Sequence, residues 1–234
     1  MTQIKVADKL IEAVFNERLN RFVAIVTIGG RSYRAHVPSS GRMGELLVPG
    51  VPVLVTPGKP GGRTDFKLLM VRYQSHWVSI DSLLPNRLVK EALLEQQLPA
   101  LQGYRSISPE QKFGGSRFDF FLQQGHQRDC YIEVKSVTLV EEGMAKFPDA
   151  PSERGTKHLL DLVRAVQQGY RGVVLFVVQR TDASSFAPNT PRDRKFSDAL
   201  AYGIRCGVEV YAWRCALKPP YVALTDQIPL KVVK

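Results

Sequence analysis

The two stretches RFDFFL (residues 117–122) and CYIEVKSV (130–137) place charge inside runs that are otherwise apolar. A strand alternates its side chains, so Tyr131, Glu133 and Lys135 share one face, while Ile132 and Val134 share the other. The intervening QQGHQRD (123–129) is a turn centred near Gly125. A tight hairpin there brings Asp119 beside Glu133, with the register left open by the pattern. Asp119, Glu133 and Lys135 then converge. Two carboxylates offer hard oxygen ligands to Mg²⁺, with Mn²⁺ as a substitute, and the ion polarises a phosphodiester and acidifies a water. The lysine can orient that water or stabilise developing negative charge. Glu95, or alternatively Glu91, adds a third carboxylate from the preceding helix; the two are an i, i+4 pair on one face. One E-x-K is expected by chance in a chain of about this size, and such a strand also describes a solvated face or a structural Asp–Lys or Glu–Lys pair. The apolar company of RFDFFL and VVLFVV (173–178) argues against a fully exposed sheet.

Working outward, a helix follows Leu83-Leu84-Pro85, with Asn86 as its N-cap and Leu88, Ala92 and Leu93 at helical spacing through Leu98. The two charged strands come next, then a weaker one near residues 144–147. SERGTKHLLDLVRAVQQG (152–169) reads as a helix capped by Ser152, with Leu159, Leu160, Val163 and Val166 apolar and Gly169 as its stop. VVLFVV suits a strand buried on both faces. FSDALAYGIRCG (196–207) is a helix and VEVYAW (208–213) a last strand. Residues 83–234 thus read αβββαβ, then αβ. Residues 1–82 read differently, as short β-segments: RFVAIVTI (21–28), Gly29-Gly30 as a hairpin turn, RSYRAHV (31–37), VPVLVT (51–56), KLLMVRY (67–73) and HWVSI (76–80). That spacing predicts a small β-barrel.

The chain of 234 residues carries 32 basic and 22 acidic residues, a formal charge of +10. The excess is +5 up to Ser82 (11 against 6) and +5 beyond it (21 against 16), so it belongs to folded surface in both halves. Polyanions are the natural partner, DNA first and RNA second, although a basic surface also serves solubility. Arg18, Arg21, Arg31 and Arg34 stand among the aromatics Phe22 and Tyr33, and Arg31 and Tyr33 share a strand face as a stacking platform requires. Phe22 reads as core. Arg154, Lys157 and Arg164 lie along the helix at 152–169 and can face a phosphate backbone. Gln179 and Arg180 close VVLFVV, where polar residues border a site or merely end a strand. Three cysteines without C-x-x-C spacing read as free thiols, and His36, His76, His126 and His158 form no metal motif. No apolar run approaches membrane-spanning length and the start lacks a signal-peptide pattern, so a cytoplasmic protein without membrane contact is expected. A homo-oligomer is compatible with this composition.

RFDFFL, CYIEVKSVTLVEEGMAKFPDAPSERGTKHL (130–159), VVLFVVQR with a following Pro-Asn, and GVEVYAW together resemble the bacterial sugar fermentation stimulation protein family over nearly the full length. The resemblance implies an OB-like barrel over 1–82 and an α/β domain over 83–234 similar to the PD-(D/E)xK nuclease superfamily. It also implies a DNA-binding role linked to sugar, particularly maltose, metabolism. On that pattern Asp119 and Glu133 are the acidic positions, Lys135 the lysine and Glu95 the helix carboxylate. Phe118 stands where the superfamily's name has proline. The leading expectation is a DNA-binding protein with little sequence preference; the rival is a Mg²⁺-dependent DNA or RNA phosphodiesterase.

Overall fold

The computed structural model describes residues 1–231. The chain opens with β1 (Gln3–Lys5) and then builds a barrel from β2 (Ile11–Asn20), β3 (Val23–Ile28), β4 (Arg31–His36), β5 (Pro52–Pro57) and β6 (Phe66–Tyr73), with β7 (His76–Ser79) appended to β6. Parallel pairing of β4 with β6 closes the ring of five strands. Gly29 and Gly30 take φ of 55° and 77° in the two-residue turn between β3 and β4, a backbone that side chains with a Cβ resist. The barrel is filled by Phe15, Val26, Val53, Leu68 and Val78. β2 had no counterpart in the sequence reading. Its register shifts between Phe15 and Glu17 and again between Arg18 and Asn20, and such bulges interrupt the alternation that marks a strand.

Beyond the barrel come α1 (Leu84–Leu94), β8 (Ser106–Phe113), β9 (Ser116–Gln123), β10 (Cys130–Val137), β11 (Leu139–Glu141), β12 (Met144–Phe147), α2 (Glu153–Gln167), β13 (Arg171–Val178), β14 (Ser185–Pro188), α3 (Arg194–Arg205), β15 (Glu209–Lys218) and β16 (Tyr221–Ile228). The main sheet has the order β1-β16-β15-β13-β10-β9-β8. β13 lies at its centre, parallel to both neighbours and buried along almost its whole length, as the apolar run predicts. α2 and α3 cover one face of this sheet. α1 covers the other, together with Leu54, Leu69 and Met70 of the barrel. The result is an OB-like barrel fused to a mixed α/β half.

Several sequence expectations change. The third strand of the antiparallel group is β8, not β12. SISPEQKF carries Pro109 and polar residues because β8 is an edge strand, where a missing backbone donor does no harm. β12 exists but sits in a separate sheet of order β11-β12-β14. β1 pairs with β16, so the first residues of the chain complete the α/β sheet and lie outside the barrel. Helix α1 is preceded by Leu83 and lacks a side-chain cap; Asn86 lies inside its first turn. Ser152 does cap α2, accepting from the Gly155 N–H at 3.0 Å. Leu160, expected on the apolar face of α2, is exposed, and His158 and Asp161 are buried there instead.

Candidate active site

A cleft of about 590 Å³ opens where the two halves meet. Arg21 and the loop Ser39-Ser40-Gly41 form the barrel wall; Asn86 of α1, Asp119 of β9, Glu133 and Lys135 of β10, and the segment from Lys146 to Arg154 form the rest.

Asp119 reaches this cleft through a lapse in strand pairing. The β9–β10 ladder ends at Phe120 opposite Ile132, and the side-chain alternation slips there: Phe118 and Phe121 both face the α2–α3 core, while Phe120 faces α1. Asp119 Oδ2 then accepts the Val134 N–H at 2.7 Å, replacing the missing ladder bond, and Oδ1 accepts from Asn86 Nδ2 at 2.6 Å. Burial and the neighbouring Glu133 carboxylate push the Asp119 pKa up to about 6 from 3.8, against the pull of those two hydrogen bonds and of Lys135.

Glu133 is 4% exposed at the cleft floor. Its Oε1 accepts from both Lys135 Nζ at 2.5 Å and His158 Nδ1 at 2.6 Å. Its Oε2 is buried and has no hydrogen-bond partner among the described residues. Although burial alone raises a carboxyl pKa, the bonds from His158 and Lys135 outweigh it and hold Glu133 below the usual range. Arg154 Nε donates to His158 Nε2 at 3.4 Å, which assigns the Nδ1–H tautomer to the imidazole and makes it the donor to Glu133.

A divalent cation fits this donor set. A buried carboxylate oxygen without a hydrogen-bond donor is costly unless a cation meets it, and Glu133 shares the cleft with a second carboxylate, Asp119, whose pKa burial and the Glu133 charge raise to about 6. Among the described residues no three His, Cys, Asp or Glu side chains cluster to hold an ion by themselves. A divalent ion held by these two carboxylates would need further ligands from water, main chain or a bound phosphate.

Of the residues singled out from the sequence, Asp119, Glu133, Lys135, Arg21 and Arg154 line the cleft together. Glu95 does not. It lies at the far end of α1, about 13 Å along the axis from Asn86 at 1.5 Å per residue, and accepts from Thr2 Oγ1 at 2.8 Å. Glu91 is likewise absent from the lining. Arg18 is structural: its guanidinium donates to the carbonyls of Arg21, Ser39, Gly41 and Arg42, and desolvation lowers its pKa. Tyr33 packs edge-on against Phe66 at 5.3 Å, and Arg31 and Arg34 are exposed on β4 away from the cleft. Lys157 donates to the Gly115 carbonyl, and Arg164 pairs with Asp161. Gln179 and Arg180 tie the two halves together, with Gln179 Nε2 bonded to the Asp81 carbonyl and the Arg180 guanidinium, ion-paired to Asp182, lying 4.3 Å from the Tyr73 ring. Phe22, expected in the core, is 48% exposed.

Asn86 and His158 were missed as site residues. Asn86 looked like a helix cap, because asparagine before an apolar-periodic run usually is one. The signal for His158 was its spacing from Leu162, one turn away on the buried face of α2.

Residues 17–80 match the family model for the SfsA N-terminal OB domain, and residues 83–221 match that for the sugar fermentation stimulation protein RE domain. A sugar fermentation stimulation protein homolog of Desulforamulus reducens is 50% identical over 97% of this chain and 95% of its own length. That of Moorella thermoacetica is 40% identical over 98% of this chain and 100% of its own. The structure of the Pyrococcus furiosus SfsA protein in complex with Ca²⁺ superposes with a TM-score of 0.91 at 28% identity, covering 99% of this chain and 100% of that one. With both family models matched in order and such relatives aligned from end to end, the chain belongs to the sugar fermentation stimulation protein family.

Proposed function

We propose that this protein is a divalent-cation-dependent phosphodiesterase acting on nucleic acid, DNA in the first instance. The observation that carries the reading is the Glu133 carboxylate, fixed through Oε1 by Lys135 and His158, with Oε2 left without a hydrogen-bond partner among the described residues, in the cleft that Asp119 also lines. The Pyrococcus furiosus relative is in complex with Ca²⁺, which supports a divalent cation as a ligand of this chain. Mg²⁺ or Mn²⁺ held by Asp119 and Glu133 would supply Lewis acidity to a phosphodiester and lower the pKa of a bound water. The chain's own residues do the rest. Asn86 and the Val134 N–H hold the Asp119 carboxylate in place. Lys135 places its ammonium at the cleft floor, where it steadies negative charge building on phosphate oxygens. Arg21, Lys146 and Arg154 line the same cleft and offer cations to neighbouring phosphates.

The test is incubation of purified protein with single- and double-stranded DNA and RNA in Mg²⁺, Mn²⁺ or EDTA, beside a Lys135→Ala variant. Cleavage that EDTA abolishes and that falls at least 100-fold in the variant is expected; no cleavage of any substrate, or equal cleavage by the variant, sinks the assignment.

The net charge of +10 favours a second reading, a DNA-binding protein with little sequence preference that acts in sugar, particularly maltose, metabolism without cutting. That reading draws its affinity from phosphate contacts and loses it steeply with salt.

A further inference from the structure

We infer that the cleft takes single-stranded nucleic acid, presented by the β2–β3 hairpin tip with Phe22 as the platform on which a base stacks. The inference rests on the nucleic-acid reading above and specifies its substrate. Phe22 is 48% exposed in the turn between β2 and β3. Its backbone is nevertheless held tightly. The Phe22 N–H donates to Asn20 Oδ1 at 2.9 Å, and its carbonyl accepts from the Val37 N–H at 2.8 Å and from His36 Nδ1 at 3.2 Å. The preceding carbonyl, that of Arg21, accepts from Arg18 Nη2 at 2.6 Å. The ring is therefore offered to solvent by a rigid turn, which spares the entropy of ordering it when a base arrives.

Arg21, its neighbour, lines the cleft that holds Glu133. A cation directed to a phosphate and an adjacent aromatic directed to a base is the pairing that single strands require and that a duplex, with its bases already stacked, cannot use.

The cleft itself selects in the same direction. Its volume of about 590 Å³ falls within the roughly 300–1,000 Å³ of small-molecule sites, room at the floor for a nucleotide or two of a flexible strand. The barrel loop is also tied across to the opposite wall, since the Arg42 N–H donates to Asp149 Oδ2 at 2.8 Å. That tie is close-fitting: a Cβ on Gly41 would stand 2.6 Å from the same oxygen. Gly41, Asp149 and Glu133 all line this cleft, and a flexible strand or a frayed end enters a cleft whose walls are tied together more readily than a duplex does.

The experiment is fluorescence anisotropy with a labelled 12-residue oligothymidylate and with a duplex of the same length, in Ca²⁺, for the wild-type protein, Phe22→Ala, Phe22→Trp, and Val48→Ala as an exposed apolar control. The wild type is expected to bind the single strand at least 10-fold more tightly than the duplex. Phe22→Ala should weaken single-strand binding about 5- to 100-fold, the range that loss of one base–aromatic stack produces, while Phe22→Trp restores it and Val48→Ala changes nothing. Equal binding of both substrates, or unchanged single-strand affinity in Phe22→Ala, overturns the strand selection and leaves the nucleic-acid reading standing. Binding of neither substrate overturns both.

Discussion

At the scale of single residues, the two carboxylates of the cleft are held in opposite electrostatic conditions. Glu133 keeps its charge because two donors meet Oε1, whereas burial and Glu133 itself push Asp119 up to about 6. This sets a pH dependence with a definite sign. The Asp119 pKa is higher in the folded chain than in the unfolded one, so between about 4 and 6 the folded state retains a proton that the unfolded state has released. Stability then falls as pH rises through that window and levels off above it, by on the order of 2 kcal/mol. Asp119→Asn removes the titration. In EDTA, the stability of the variant relative to the wild type should therefore climb between pH 4 and 7 in urea melts, whatever constant offset the lost Val134 bond introduces. Parallel curves for the two proteins would show that Asp119 is not perturbed. Part of this pair was readable in the chain: Glu133 and Lys135 are two apart on a strand, and period two forces them to one face. Asn86, Glu95 and His158 were not, because helical spacing says which residues share a stripe but not which end of α1 packs against β9, and that packing selects Asn86 over Glu95.

At the scale of elements, legibility followed burial. β13 and the β3–β4 hairpin were plain because an apolar run and a Gly-Gly turn each have one physical reading. β2, β8 and β1 were obscure for distinct reasons: bulges break the alternation of β2, Pro109 and an edge position disguise β8, and three residues are too few to carry a period in β1. Helix α2 shows how an element serves the cleft. Ser152 Oγ accepts the Gly155 N–H, and the Ser152 N–H donates to Asp193 Oδ2 at 2.8 Å, so the first turn that carries Arg154 is fixed to the residue capping α3. Ser152→Ala deletes the cap alone. It should lower unfolding free energy by about 1 kcal/mol, seen as a lower urea midpoint with an unchanged slope. No change in midpoint would mean that the Asp193 bond by itself fixes that turn.

For the whole molecule, the site depends on the halves behaving as one body, since Arg21 and Asp119 come from different sides of the cleft. The interior supports this. The core beneath α1 includes Leu54, Leu69 and Met70 from the barrel alongside Ile132, Val173 and Leu224 from the main sheet. Arg180 is fully buried at the junction, with Asp182 at 2.5 Å, the Thr138 carbonyl at 3.1 Å and the Tyr73 ring 4.3 Å from its guanidinium carbon. β1 adds a covalent constraint, because the chain leaves the α/β sheet before it enters the barrel. With the apolar cluster beneath α1 shared by barrel and sheet, neither half can open without exposing the other, so unfolding should be a single transition. Trp77 on β7 and Trp213 on β15 both pack against that shared core and report it from the barrel side and the sheet side. Single-tryptophan variants, Trp213→Phe reporting the barrel side and Trp77→Phe the sheet side, should each show fluorescence and circular-dichroism transitions that coincide. Introducing Arg180→Met into either should shift both probes together by about 1–3 kcal/mol, since the partly exposed Asp182 keeps His76 beside it at 3.3 Å while the Thr138 carbonyl loses its donor. Separate transitions for the two probes, or a shift confined to one of them, would show two independently folding domains that merely touch. The cleft would then be a contact between neighbours, free to open, and not a site built by the fold.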